Sequence, residues 1–340
     1  MFCWLTINRA CNMRCNWCYA KQQLNNGAAN MTLETLDGIL KAVTNRPINV
    51  FTLIGGEPTV HKDILQFIVR LKPSKVMMVS NGLKLADISY LRHLQECGLD
   101  VVALSLKGAT QQEYLSNTGV SSLDKVEKAV ANMNELGIQY NVSVTFSSAI
   151  MGLLPTILDW MKSTSARSMS INYCRPYIMD GRVSAEGVPT PKDMADKTVS
   201  SYELIRQSGV RCTFSFLLPL CLLPRDFIDL LVLRNELSTI CQLQKNTGII
   251  FEPDGSLIPC HHLFDYKLGK LGEDFTTAAE FDTFMKGGGI QDFYRKAAGF
   301  PDKRCLSCDL RMRCGGGCLV QHLQYGRTEL VIKPFERSLL

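Results

Sequence analysis

From residue 2 to about 175, short apolar runs rich in β-branched residues alternate with amphipathic helical stretches, and this alternation restricts the fold more than any other feature. Strands are predicted at Phe2–Ile7, Asn49–Ile54, Lys75–Ser80, Val101–Leu106, Tyr140–Phe146 and Ser168–Tyr173, each bounded by polar, Gly or Pro residues. Helices fill the gaps. In Ser121–Leu136 the apolar residues Leu123, Val126, Val130 and Met133 recur at three and four, giving one buried face. Ser121 or Ser122 is placed to cap its start, and Gly137 its end. Six strands alternating with helices predict parallel βα units. The C-terminal strand ends then converge on one mouth, and sequence motifs at those ends share a location.

Such motifs are present. The first strand is followed by Cys11, Cys15 and Cys18 in the spacing C-x3-C-x-Φ-C, with Trp17 as the aromatic and Tyr19 next. Gly55-Gly56-Glu57-Pro58 follows the second strand, Ser80-Asn81-Gly82 the third, and Ser105-Leu106-Lys107-Gly108 the fourth. Three thiolates are an incomplete set for a four-iron cluster, so one iron keeps a position for a small molecule. A zinc site would need a fourth Cys or His nearby, and Tyr19 to Leu24 offers none.

The triad with Gly-Gly-Glu-Pro resembles the radical S-adenosylmethionine (radical SAM) superfamily. The resemblance implies an open (β/α)6 partial barrel, a [4Fe-4S] cluster on Cys11, Cys15 and Cys18, and SAM chelating the unique iron through its amino and carboxylate groups. It also places Gly55 and Gly56 beside the methionine of SAM and makes Glu57 an acceptor for its ammonium. Trp17, Tyr19, Ser80, Asn81, Ser105 and Lys107 are further cofactor-binding candidates. Relatives have Asp where Lys107 stands and an Arg near Asn117, so Lys107 is a substitute for that Arg. Turn capping is the ordinary use of strand-end Ser and Asn.

The chain is long enough for a large domain with an appendage, and 46% hydrophobic and 20% charged residues describe an ordinary globular protein. No secretory signal opens it, and the longest apolar stretch, Phe214 to Leu223, is about half a membrane span. A net charge of +5 without a basic stripe does not point to nucleic acid. Fourteen cysteines fit a reducing cytoplasm, where metal ligation is the expected use.

A second cysteine field begins at Cys241. A hairpin is predicted over residues 248–260, turning at Pro253-Asp254-Gly255, and Cys260 ends it. Cys305, Cys308, Cys314 and Cys318 then stand as C-x2-C-x5-C-x3-C. This pattern resembles the SPASM extension, which holds two auxiliary iron–sulfur clusters. The resemblance assigns Cys241, Cys260 and Cys318 to the first cluster and Cys305, Cys308 and Cys314 to the second. A zinc ribbon on the last four cysteines is the alternative. The family's final cysteine is missing after Cys318; Asp309, His322, Glu336, a substrate group or nothing is left as fourth ligand of the second cluster, with a [3Fe-4S] or two-iron form as further alternatives. Cys221 is the fourth candidate for the first cluster by position, with a free thiol as the equal alternative. The expected division is a partial barrel over 1–210 (core 1–176 plus a connector helix near 191–207) and an auxiliary-cluster domain over 211–340.

The implied enzyme cleaves SAM reductively and takes hydrogen from a peptide, with epimerisation, a thioether or a carbon–carbon crosslink as outcomes. A dehydrogenase of a protein Ser or Cys, as in anaerobic sulfatase maturation, or of a small molecule is the runner-up. A non-catalytic iron–sulfur carrier is the reading from another class. For an epimerase, one of Cys174, Cys212 and Cys221 would return the hydrogen atom. Cys3 and Cys97 read as structural; Arg175, Tyr173 and Tyr177 as lining; His261 and His262 as a base or electron-path neighbours. Expected partners are a ribosomal precursor peptide and an electron donor such as flavodoxin or ferredoxin. Because the triad sits at residue 11, leader recognition is expected from the barrel and extension or from a separate protein.

Overall fold

The computed structural model describes residues 1–24, 30–179, 182–239, 241–298, 300 and 302–324. Its strands are β1 (Phe2–Asn8), β2 (Val50–Gly55), β3 (Lys75–Ser80), β4 (Val101–Leu106), β5 (Gln139–Phe146), β6 (Ser168–Tyr173), β7 (Tyr177–Met179), β8 (Arg182–Ser184), β9 (Arg211–Ser215), β10 (Leu237–Ser238), β11 (Gly248–Phe251), β12 (Ser256–Ile258) and β13 (Gly269–Lys270). Eleven form one sheet in the order β10-β9-β6-β5-β4-β3-β2-β1-β11-β12-β13, and β7 pairs with β8 apart from it. From β10 to β11 every pairing is parallel; β12 and β13 add antiparallel. The six predicted strands are all present, displaced by at most one residue at an end.

Residues alternate sharply along the central strands. Val102, Leu104 and Leu106 of β4, Val142, Val144 and Phe146 of β5, and Met169 and Ile171 of β6 are buried against the helices. The helix Leu123–Glu135 contributes Val126, Ala129, Val130 and Met133 to the same core. Each such side chain stabilises by roughly 1.5–3 kcal/mol when fully covered. No side-chain cap forms at Ser122, and Gly137 at φ 66 turns the chain out of this helix.

The other face is polar: Ser105, Asn141, Ser143, Thr145, Ser170, Asn172 and Thr213 are half-buried or exposed. Asn172 donates to the Ser143 hydroxyl at 2.9 Å, and Asn141 to Ser170 at 2.8 Å. Parallel sheets covered on both sides carry apolar residues on both. This sheet has helices on one side and an open, hydrogen-bonding surface on the other.

The segment read as a connector holds two more strands of the same sheet, β9 beside β6 and β10 beside β9. The predicted hairpin forms as β11 and β12 around Gly255 at φ 78, with Asp254 accepting from the Ser256 amide at 3.1 Å. Its first strand lies parallel to β1, with Phe2 opposite Gly248. The sheet therefore runs through the expected border near residue 210 on both of its edges.

Candidate iron–sulfur and SAM site

The site begins where β1 and β2 end side by side. The Gly56 amide donates to Asn8 O at 3.0 Å and the Glu57 amide to Ala10 O at 2.8 Å. A Cβ on Gly55 would stand 2.4 Å from Asn8 Oδ1, and one on Gly56 2.2 Å from Ala10 O. The glycine pair is thus needed to let β2 press on the main chain that leads into Cys11. A Cβ on either glycine would face β1.

Glu57 is buried, and its carboxylate accepts from the Thr59 amide (3.2 Å), the Thr59 hydroxyl (2.7 Å), the Ser80 hydroxyl (2.8 Å) and the Asn81 amide (2.7 Å). Burial pushes its carboxyl above the ordinary range against the pull of these donors. The side chain expected to accept from a ligand ammonium also ties the ends of β2 and β3 together. Ser80 and Asn81 are committed likewise. Ser80 accepts from the Gly82 amide, and Asn81 donates to Asn12 of the thiol loop at 2.7 Å.

The thiol loop is fixed from its other side by the helix Gln111–Thr118. Amides of Arg14 and Asn16 donate to Thr118 O (2.8 Å) and Asn117 O (3.1 Å), and the Asn16 side chain to Ser116 O (3.0 Å). Asn117 donates to Lys107 O at 2.7 Å, tying this helix to the end of β4. Cys11, Cys15 and Cys18 are half-buried and interact electrostatically with one another. Burial pushes the Cys11 thiol up to about 12 and the Cys18 thiol up as well. Three gathered thiolates therefore need cationic compensation. Iron in a cluster supplies it, and the donor set fits. Lys107 adds a positive charge near Cys18, with Nζ 5.8 Å from the Trp17 ring. Ser105 lies on the polar face opposite Ser143.

Two buried pairings at this mouth were not read from the sequence. Arg9 forms a buried ion pair with Glu252, clamping the end of β1 to the hairpin, and its guanidinium lies 6.0 Å from the Phe264 ring. Tyr19 packs on His262 with ring centroids 4.9 Å apart and on His261 at 6.2 Å. Since His262 also bonds Pro176 O at 2.9 Å, the loops after Cys18, Cys260 and β6 meet there. Burial lowers His261 to about 3 and His262 well below its usual value, so both rings are neutral. Neither pairing has a local sequence signal, although the period-2 polar alternation in β5 and β6 marks the open face.

Arg175, at the exit of β6, carries its charge toward Cys241, Cys260 and Cys318, which gather as one group. Cys174 stands between the two thiol fields, coupled to Cys18 and Lys107 on one side and to Arg175 on the other. Its thiol is pushed up to about 11 by burial. Cys212 does not reach the mouth: in β9 it faces the helix-covered side, level with Met169. Cys221 also lies away from it, exposed and interacting with Cys305 and Cys314 rather than completing the Cys241 group. Asp309 is held by Arg225, and His322 Nε2 lies 2.6 Å from Gly316 O; Glu336 lies outside the described residues. Among the described residues no three His, Cys, Asp or Glu side chains converge closely enough to share a single metal ion.

The family model described as Radical SAM superfamily matches residues 5–161. Residues 5–161 thus match a radical SAM domain. A Pyrococcus horikoshii protein named probable GTP 3′,8-cyclase is 34% identical over 134 residues, covering 39% of this chain and 42% of its own. A Methanocaldococcus jannaschii 7,8-dihydro-6-hydroxymethylpterin dimethyltransferase is 26% identical over 145 residues, 41% of this chain and 29% of that one. The chain thus matches less than half the length of these curated relatives. Likeness in fold to solved radical SAM structures goes further. Native anSMEcpe with bound AdoMet superposes with a TM-score of 0.69 at 18% identity, over 100% of this chain and 98% of that one. Streptococcus suis SuiB bound to S-adenosylmethionine gives 0.71 at 16% identity, over 97% and 76%. The chain therefore shares the fold of these structures beyond residue 161, through the cysteine-rich extension.

Proposed function

We propose that this radical SAM enzyme modifies a residue of a peptide, and that the modification is inversion at an α-carbon. When bound, the [4Fe-4S] cluster and SAM supply a 5′-deoxyadenosyl radical, which removes one hydrogen atom from the substrate. The chain's own residues do the rest. Cys11, Cys15 and Cys18 hold the cluster, Glu57 and Asn81 keep their loop in place, and Lys107 with Trp17 flanks the SAM side. The polar face of Ser143, Ser170 and Asn172 offers donors and acceptors to a peptide backbone. Its openness suits an extended chain better than a compact apolar ligand.

One observation carries the choice of reaction: Cys174 sits at the mouth between the two thiol fields with its thiol held protonated by burial. A hydrogen-atom donor must carry S–H, not S⁻, at working pH. Cys174 delivers its hydrogen to the substrate α-carbon and becomes a thiyl radical. One electron from a flavodoxin- or ferredoxin-class donor and one proton from solvent restore the thiol. The peptide reading is supported by likeness to structures described as holding a Cp18Cys peptide and the precursor peptide SuiA. A nucleotide substrate is the second reading, favoured by the relatives named GTP 3′,8-cyclase.

The test is anaerobic turnover in deuterated water with SAM, dithionite and a synthetic peptide encoded beside the gene, with GTP as the parallel arm. Inversion adds one mass unit to the peptide, and Cys174→Ala removes this label while 5′-deoxyadenosine still forms. A product lighter by two hydrogens, or labelling that persists in the variant, overturns the inversion. Conversion of GTP alone overturns the peptide.

A further inference from the structure

The seven-cysteine extension pattern ends one cysteine short, leaving Cys305, Cys308 and Cys314 as three donors. The fold supplies a fourth from outside the extension's own sequence pattern. Residues 217–225 run against residues 309–318 and are fastened to them at four successive places. The Cys318 amide donates to Leu217 O at 2.7 Å. Gly317, at φ 83, packs so closely that a Cβ there would lie 2.8 Å from Pro219. The Leu220 amide donates to Cys314 Sγ at 3.2 Å. Arg225 is ion-paired with Asp309. Cys221 falls between the last two fastenings, within the stretch that covers the turn from Cys308 to Cys314.

Local geometry holds it there. Pro219 and Pro224 flank the 3-10 turn Leu220–Leu222, and both lie at the φ their rings impose, −58° and −57°. The turn closes on itself through Leu222 N to Pro219 O (3.1 Å) and Leu223 N to Leu220 O (3.0 Å). A cysteine in a rigid turn loses little conformational freedom on ligation, which suits a permanent ligand. The electrostatics agree: Cys305 and Cys314 both feel Cys221, and Arg304 feels Cys221 together with Cys305. Arg304 is itself set by two bonds to Asp302 (3.0 and 2.8 Å), so a guanidinium stands ready to offset thiolate charge.

We infer that Cys221 is the fourth thiolate of a four-cysteine iron–sulfur site completed by Cys305, Cys308 and Cys314. This rests on the iron–sulfur reading of the extension and is independent of the substrate. The position given by the family to a cysteine after Cys318 is filled instead from 84 residues before Cys305 (305 − 221). Donors drawn from both sides of the β11–β12 hairpin in sequence make this site a staple between two stretches of chain. The Cys241, Cys260 and Cys318 group keeps three thiols.

The experiment uses anaerobically prepared holoprotein in the Cys11→Ala/Cys15→Ala/Cys18→Ala background, where only auxiliary iron remains. Iron, sulfide and zinc are counted, and reduced and oxidised samples are examined by electron paramagnetic resonance with and without Cys221→Ala. The expected result is loss of one to four iron atoms per chain and either disappearance of one cluster signal or a new three-iron signal. Cys212→Ala, a buried cysteine of β9, is expected to leave both readings unchanged. Unaltered iron and spectra in Cys221→Ala, or one zinc per chain lost with it, overturn the inference. A second measurement does not depend on a variant folding. In wild-type holoprotein Cys221 is expected to resist iodoacetamide and to react at least tenfold faster after iron is chelated; rapid alkylation of the holoprotein at Cys221 refutes ligation. Wild-type holoprotein with no auxiliary iron would show the extension reading itself to be wrong.

Discussion

Replacing Gly56 by Ala tests whether the close contact between β1 and β2 sets the thiol loop. The new Cβ would lie 2.2 Å from Ala10 O and 2.6 Å from Ala10 C, both main-chain atoms that cannot swing aside. Ordinary C···O contacts are about 3.3–3.6 Å, so the two strand ends must part by about 1.1 Å. That displacement strains the packing by roughly 1–3 kcal/mol. It also weakens the bonds from Gly56 N to Asn8 O and from Glu57 N to Ala10 O, each contributing about 0.5–1.5 kcal/mol. Together the cost is about 2–6 kcal/mol, a fall in melting temperature on the order of 10 °C. Because Ala10 directly precedes Cys11, the triad should also lose its grip on about four iron atoms per chain. Gly152→Ala is the matched control, since a Cβ there meets nothing within 4 Å. Iron analysis and thermal melting read both effects. Wild-type iron content and a melting point within 2 °C for Gly56→Ala would refute the reasoning.

Two further outcomes follow from buried charge and buried thiol. Arg9→Met leaves Glu252 uncompensated and should cost about 3–5 kcal/mol, whereas Arg9→Met/Glu252→Met should recover most of it; a melt of the single variant equal to wild type contradicts this. The Cys174 thiol, raised to about 11, should be only about 1% thiolate at pH 9, against about three quarters for an ordinary cysteine. Alkylation of Cys174 in the native protein at that pH should therefore be slower by well over tenfold. The folded state keeps a proton that the unfolded chain releases, so this group's contribution to stability is intact below about pH 9 and declines from there to about pH 11. Fast labelling of Cys174 at pH 8 would sink both statements.

The barrel half was legible because its signals are local. Val102, Leu104 and Leu106 face one way and Ser105 the other, and strand alternation reads directly from such runs. The motif loops were placed correctly at strand ends for the same reason. What the motifs do there was less legible. Gly55, Gly56 and Glu57 were read as ligand contacts; their neighbours within the chain are Asn8 and Ala10, reached by strand adjacency across more than 40 residues, Ser80, 23 residues on, and Thr59, two residues on. Short β9, β10 and β13 lack enough residues for a periodic signal and are held by the sheet edges they extend. Position in the sequence put Cys221 with the first cluster, whereas its neighbours, Cys305 and Cys314, come from the opposite end of the extension. Cys212 was distinguished from Cys174 only by which side of its strand it occupies.

An unbroken hydrogen-bonded ladder links β10 to β13, with Arg9 and Glu252 pinning one crossing from beneath. The N-terminal strands and β11 to β13 consequently belong to one continuous sheet. A substrate is therefore met by one continuous polar face, bordered by the loops at the strand ends.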